Sequence, residues 1–209
     1  MPDAPSPNFH IASLEALEEI YGEALGRAVT KELDHISDHY RSFVEVSPFM
    51  ILSTVGPEGT DSSPRGDPAG FCRVIDAHTV LIPDRRGNNR IDSLRNIVRD
   101  PRVSLLFLVP SVGETLRING RAEIRTDPDL LASFEMEGKL PRSVIKVQAE
   151  SVYFQCTKAL VRSKLWDPTG WPTARPVPTA GQILKGIEAS FDAKTYDANY
   201  PEHMKNTIY

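Results

Sequence analysis

Apolar and polar residues alternate along this chain at two different periods, and the change of period divides it. From Ser13 to Arg27, SLEALEEIYGEALGR places Leu14, Leu17, Ile20, Tyr21, Ala24 and Leu25 on one face, the spacing of an amphipathic helix. Glu15 falls in its first turn, where a carboxylate suits the helix dipole. A second helix is predicted over Lys31 to Phe43. The texture then becomes that of strands. FMILSTV (49–55) reads as a buried strand and GPEG (56–59) as a hairpin turn. The segment 61–67 that follows is a strand edge, which breaks at Pro64 and Gly66. FCRVI (71–75), the turn DAHT and VLIP (80–83) make another hairpin. After a helix over 89–99, RVSLLFLV (102–109) is continuous enough for a central strand. ETLRINGRAEI (114–124) alternates cleanly: Leu116, Ile118, Ala122 and Ile124 face one way, Thr115, Arg117, Asn119, Arg121 and Glu123 the other. Gly120 within it marks a bulge or a tight bend. DPDLLASFEMEG (127–138) is a short helix with Asp127 as N-cap and Pro128 at the first helical position. SVIKVQAESVYFQC (143–156) is a last long strand, and a proline-rich tail carries one helix from Thr179 to Phe191.

Hairpins dominate, with few helices between them. The fold class is therefore mainly β with peripheral helices, about six antiparallel strands closing on themselves as a small barrel. There is no internal repeat and no strand–helix alternation, so a Rossmann fold is not expected. Gly-rich phosphate loops of the G-x-G-x-x-G and G-x-x-x-x-G-K types are absent. A nucleotide, if bound, is held some other way.

Composition narrows the function classes. A chain of 209 residues that is 40% hydrophobic and 25% charged is an ordinary globular protein. Its net charge of −4 argues against a general nucleic-acid binder, so any anion site must be local. No apolar run approaches the length of a membrane span. Residues 1–10 are proline-rich and expected to be loose, and they lack the pattern of a secretory signal. Cys72 and Cys156 are expected to be buried thiols and not a disulfide framework. The expectation is a cytoplasmic protein.

The candidate chemistry concentrates in PDRRGNNRIDSLRNIV (83–98). Ile91, Leu94, Ile97 and Val98 form the buried stripe, which leaves Asn88 or Asn89 at the N-cap. The N–H groups at a helix start favour an anion. Arg85, Arg86 and Arg90 add full charges, and arginine grips phosphate through paired hydrogen bonds. Capping explains the asparagines but not the arginines, because cations near a helix N-terminus oppose the dipole. Pairing with Asp84 and Asp92 would explain them as surface residues, so cap and anion seat both stand. SSPRGD (62–67) is either a turn or a place where backbone can approach a flat ligand closely. His35 and His39 share a face of the second predicted helix, but no third ligand accompanies them and no metal site is expected. No serine or cysteine triad is indicated. Trp166, in KALVRSKLWDP (158–168), is either a core cap or an aromatic wall with Arg162 and Ser163 nearby.

Five segments taken in order resemble a known family: SPRGDP (63–68), IPDRRGNNR (82–90), DPRVSLLFLVP (100–110), ETLRINGRA (114–122) and KALVRSKLWDP (158–168). They are similar to the pyridoxamine 5′-phosphate oxidase-like superfamily of FMN-binding split β-barrels, and most to its branch of uncharacterised FMN-dependent enzymes. The resemblance implies a six-stranded antiparallel split barrel over 43–168, an N-terminal helical extension (1–42) and a C-terminal proline-rich tail with a short helix (169–209). It implies FMN as cofactor and a homodimer with flavins at the subunit interface. By position, Ser62, Ser63, Arg65 and Gly66 would lie along the isoalloxazine ring. Pro83, Asp84 and Arg85 would run beside the ribityl chain. Asn89 with Arg90 would hold the phosphate, assisted by Arg85 or Arg86, and Asn88 is counted with them among the cofactor-binding residues. Thr115 or Arg117 could reach the partner subunit's flavin, with Trp166 near the dimer-related flavin. Two features depart from the vitamin oxidases: Asn-Asn-Arg stands where they carry Ser-Arg-Lys, and 166–209 shows no counterpart of their arginine-bearing substrate motif.

The expected function is a flavoprotein oxidoreductase that moves electrons or hydride between FMN and a small molecule, with no catalytic side chain identified. The alternatives are a flavin- or haem-binding storage or sensor module, or a deazaflavin-dependent reductase on the same barrel.

Overall fold

The structure, a computed structural model, describes residues 9–24 and 26–209. The loose segment expected over 1–10 lies mostly outside these residues, as does Leu25 of the first predicted stripe. The chain divides into two compact units, Met1–Glu32 and Leu33–Tyr209.

In the first unit, α1 (Leu14–Tyr21) is capped by Ser13, whose Oγ accepts the Ala16 N–H at 3.2 Å. The helix predicted to run on to Arg27 stops at Gly22, where φ is +67° and the N–H closes onto the Glu18 carbonyl. A short α2 (Gly26–Thr30) follows. None of the described α1 residues is buried.

The second unit is built on one sheet of seven antiparallel strands, in the order β2-β1-β5-β6-β7-β4-β3. The strands are β1 (Phe49–Gly56), β2 (Gly59–Gly66), β3 (Arg73–Val74), β4 (Thr79–Asp84), β5 (Arg102–Leu108), β6 (Thr115–Arg125) and β7 (Ser143–Gln155). Every strand segment read from the hydrophobic pattern is present, but the expected count and closure need correction. FCRVI contributes only two paired residues, and among the described residues β2 and β3 are open edges. Pro64 explains one edge: it has no N–H to give to a further strand, so β2 can pair on one side only. Between Asn119 and Gly120 the β6–β7 register shifts, as expected for a bulge. Glycine is required there, because a Cβ would lie 2.0 Å from the Gln148 carbonyl oxygen.

One face of the sheet forms the core. Met50, Leu52, Leu105, Phe107, Leu116, Ile118, Val147 and Val152 are buried on it, covered by Val44 of α3 (Asp38–Val46) and Ile97 of α4 (Asp92–Arg99). The helix predicted from Lys31 begins seven residues late because its backbone is committed elsewhere. Leu33 and Val152 exchange N–H···O bonds of 3.0 and 2.8 Å, and the Ile36 N–H donates to Ala77. His35 therefore precedes α3 and shares no helix face with His39; its Nδ1 lies 2.8 Å from Asp34. A smaller cluster of Leu81, Phe134 and Val144 packs with Leu130 and Leu131 of α5 (Pro128–Ser133). Asp127 makes no side-chain cap for α5, since its carboxylate takes the Arg125 guanidinium in two bonds of 2.8 Å.

The C-terminal region is more helical than its proline content suggested. α6 (Lys158–Ser163) and a single 3-10 turn at Pro168–Gly170 lead to α7 (Ala180–Ile187) and α8 (Ala193–Thr207). α7 opens with a capping box between Thr179 and Gln182. α8, with Pro201 inside it, was not foreseen. No described helix is long and apolar enough to cross a membrane. Cys72 and Cys156 are both free, but Cys156 is exposed and not buried as expected.

Candidate functional site

A cavity of about 1110 Å³ opens where β2, the end of β4, the start of α4 and α8 meet. The alternation of β2 decides which of its side chains enter. Asp61, Ser63 and Arg65 are half-buried on the side facing α4, whereas Ser62 is exposed and shares a 2.9 Å bond with Ser53. Ser63, Arg65, Gly66, Pro83, Asp84, Arg85, Asn88, Asn89 and Arg90 all line the cavity, as predicted site residues; Ser62 does not.

The floor is a set of closed ion pairs. Arg65 Nη1 meets Asp84 Oδ1 at 2.5 Å, and its Nε donates to Ser63. Arg85 Nε donates to Asp67 Oδ2 at 2.7 Å and Nη1 to the Phe134 carbonyl at 2.7 Å. The Asp67 side chain is 1% exposed, and its other oxygen takes the Tyr209 hydroxyl at 2.6 Å. That bond is the first reason the Tyr209 phenol is held above its ordinary pKa, with burial next. The adjacent Cys72 thiol is pushed well up by burial, and then by the charge of Asp67.

The rim is different. Asn88 Oδ1 accepts the Arg90 N–H at 3.1 Å, closing a tight turn. Asn89 adopts φ +61°, which asparagine tolerates, and its Oδ1 accepts from Arg142 Nη1 at 2.8 Å. Neither asparagine caps the helix. The N-cap of α4 is Ile91, held at φ +52°, and no side chain caps the first turn. A β-branched residue in that region is a genuine outlier. The first turn of α4 thus meets the cavity with its N–H groups uncapped by side chains. Arg90 pairs with Asp92 at 2.9 Å, but this pair is largely exposed. Arg86 and Arg142 have no carboxylate partner within ion-pair distance among the described residues. An adjoining recess of about 150 Å³ is lined by Arg85, Arg86, Lys139, Leu140, Arg142 and Tyr209, with no carboxylate side chain.

Several site residues were not anticipated. Arg142 lies 53 positions from the asparagine it holds, a distance no local motif spans. Ser93 ties α4 to β2 through Asp61 at 2.6 Å and Ser63 at 3.2 Å. Residues of α8 form a whole wall. Besides Ser62, three predicted residues do not line the cavity. Thr115 is buried, with Oγ1 3.4 Å from Gln155. Arg117 reaches the Tyr153 hydroxyl at 3.4 Å, and Trp166 Nε1 donates to the Val112 carbonyl at 2.9 Å.

Residues 36–156 match the family model described as pyridoxamine 5′-phosphate oxidase. No curated protein matches the chain. Among solved structures, HupZ of Group A Streptococcus is 19% identical, over 56% of this chain and 91% of its own, with a TM-score of 0.45. An F420 reductase is 19% identical over 57% of this chain and 98% of its own, at a TM-score of 0.41. The FAD-binding protein of Mycobacterium smegmatis is 14% identical over 59% and 97%, at 0.42. With more than half of its length inside the family model, the chain belongs to the pyridoxamine 5′-phosphate oxidase family.

Proposed function

We propose that this protein binds FMN in the cavity between β2 and α4 and acts as an oxidoreductase on a small molecule. The observation that carries the reading is the division of charge within the site. The floor arginines are neutralised by Asp84 and Asp67, while Arg86, Arg90 and Arg142 stand exposed around an uncapped helix start. A phosphate suits that rim, with Asn89 and Arg142 locked together beside it. Pro83 to Arg85 would follow the ribityl chain, and the edge backbone of Ser63 to Gly66 would meet the ring. When bound, FMN supplies the hydride- and electron-carrying chemistry. The chain's own residues orient it: the Asp67–Arg85 and Asp84–Arg65 pairs fix the floor, and Ser93 fixes α4 against β2.

A homodimer with flavins at its interface is part of this proposal. It gives roles to Thr115, Arg117 and Trp166, which lie away from the cavity of their own chain. Arg117 supports it, because its Nε is buried without a hydrogen-bond partner among the described residues. The test is the visible spectrum of the purified protein, with mass analysis of any co-purified ligand. Flavin absorbance and an FMN mass are expected. No flavin uptake after incubation with excess FMN would overturn the reading, and a haem or deazaflavin mass would replace the cofactor.

A further inference from the structure

A second wall of the cavity has a different chemistry from the arginine rim, and it belongs to α8. Tyr196, Tyr200, His203, Met204 and Thr207 line the cavity at helical spacing, followed by Ile208 and Tyr209. α8 carries the charged residues Lys194, Asp197, Glu202 and Lys205, and none of these lines the cavity. Its position is set from both ends. Asp197 accepts from the Thr179 hydroxyl at 2.5 Å and the Gly181 N–H at 3.0 Å. A Cβ on Gly181 would lie 2.7 Å from the Ala193 carbonyl, so α7 and α8 approach as closely as a glycine allows. At the other end Tyr209 is held by Asp67 and by Lys139, whose Nζ donates to its carbonyl at 2.9 Å. Between these anchors no residue of α8 is buried, and Tyr200 and Met204 remain 41% and 38% exposed. Aromatic and thioether surface held rigidly open toward a cavity is surface prepared for a ligand. The cavity volume also exceeds what one drug-sized ligand needs, roughly 300–1,000 Å³.

We infer that α8 forms a second subsite, which takes an uncharged, flat aromatic compound against Tyr196, Tyr200 and Met204 while the cofactor occupies the arginine side. This assignment of the substrate class rests on the proposed FMN site. An anionic substrate would compete for the rim and find no lysine or arginine among the α8 side chains that line the cavity. A cationic one would meet no carboxylate on this wall.

The experiment compares menadione, a neutral bicyclic plane, with 1,4-naphthoquinone-2-sulfonate, its anionic counterpart. Binding is read by quenching of intrinsic fluorescence without FMN and by perturbation of the flavin band with FMN loaded. Wild type should prefer menadione by about tenfold, because the sulfonate would bring an unpaired charge to an apolar wall. Tyr200→Ala should weaken menadione by about fivefold through loss of ring contact, while Tyr200→Phe retains it. Met204→Lys should remove or reverse the preference. None of the three should change the FMN titration, which also shows that each variant is folded. Equal affinity for the two quinones, or equal loss in Tyr200→Phe and Tyr200→Ala, would overturn the subsite while leaving FMN binding intact. Menadione binding with the expected preference, but no FMN uptake, would keep the subsite and remove the cofactor assignment.

Discussion

The cavity floor and the cavity rim use the same residue type for opposite purposes. On the floor, Arg65 and Arg85 are 20% and 16% exposed, each bound to a carboxylate that is less exposed still. On the rim, Arg90 is 76% exposed, and Arg86 and Arg142 meet no carboxylate among the described residues. A buried charge must be paired, so the floor arginines can neither leave nor serve as the main grip on a ligand. An exposed arginine is hydrated, and it gives up that water readily to a phosphate that fits its fork. Proximity in sequence hides the difference: Arg85 and Arg86 are neighbours, yet one is tied to Asp67 and the other lines the cavity without a carboxylate partner among the described residues.

The largest effect should come from breaking the floor. Asp67→Ala leaves Arg85 without its partner and Tyr209 without its acceptor, and removal of one member of a buried pair costs about 3–5 kcal/mol. Chemical denaturation of wild type and variant measures this directly. A loss under about 1 kcal/mol, within the range of exposed pairs, would place the floor in the same class as the rim.

The rim should show the reverse pattern. Arg142→Ala is expected to weaken FMN by about 1.5–3 kcal/mol, roughly ten- to hundredfold in Kd, with the unfolding midpoint unchanged. It removes a charge and also releases Asn89 from its held conformation. Arg90→Ala should lose less, because Arg90 already shares its guanidinium with Asp92. FMN titrations of both variants give the ordering; a larger loss for Arg90 would make it the principal anion contact.

How much of this was legible follows from where the information lies. Strand alternation is local, so the segments of β1 to β7 and the Gly120 bulge could be read directly. The concentration of charge at the cavity was legible because three arginines against a helix dipole are a local contradiction. Their division into floor and rim was not, since Asp67 and Asp84 reach Arg85 and Arg65 across strands, 18 and 19 positions away. The N-cap expected at Asn88 or Asn89 failed for a related reason. Both amides are engaged by arginines, one local and one from the loop before β7. α8 was hidden by its exposure: side chains that line an open cavity leave no buried stripe, so AKTYDANYPEHMKNT carries little of the periodicity that marks a helix.

An exposed ion pair outside the site supplies the smallest effect and completes the comparison. Arg102 donates to Asp100 through Nε and Nη2, and these bonds draw the Asp100 carboxyl down to about 2. A lowered carboxyl stabilises the fold at pH above its ordinary value of 3.8, and the benefit disappears as pH falls through about 2. Both partners are open to water, so screening and side-chain entropy offset most of the attraction. Asp100→Asn should therefore leave the denaturation midpoint at neutral pH nearly unchanged, with the curves converging in acid and in high salt. If Asp100→Asn instead matched Asp67→Ala, ion pairing alone would set stability here. Burial would then no longer separate the arginines that build the site from those that use it.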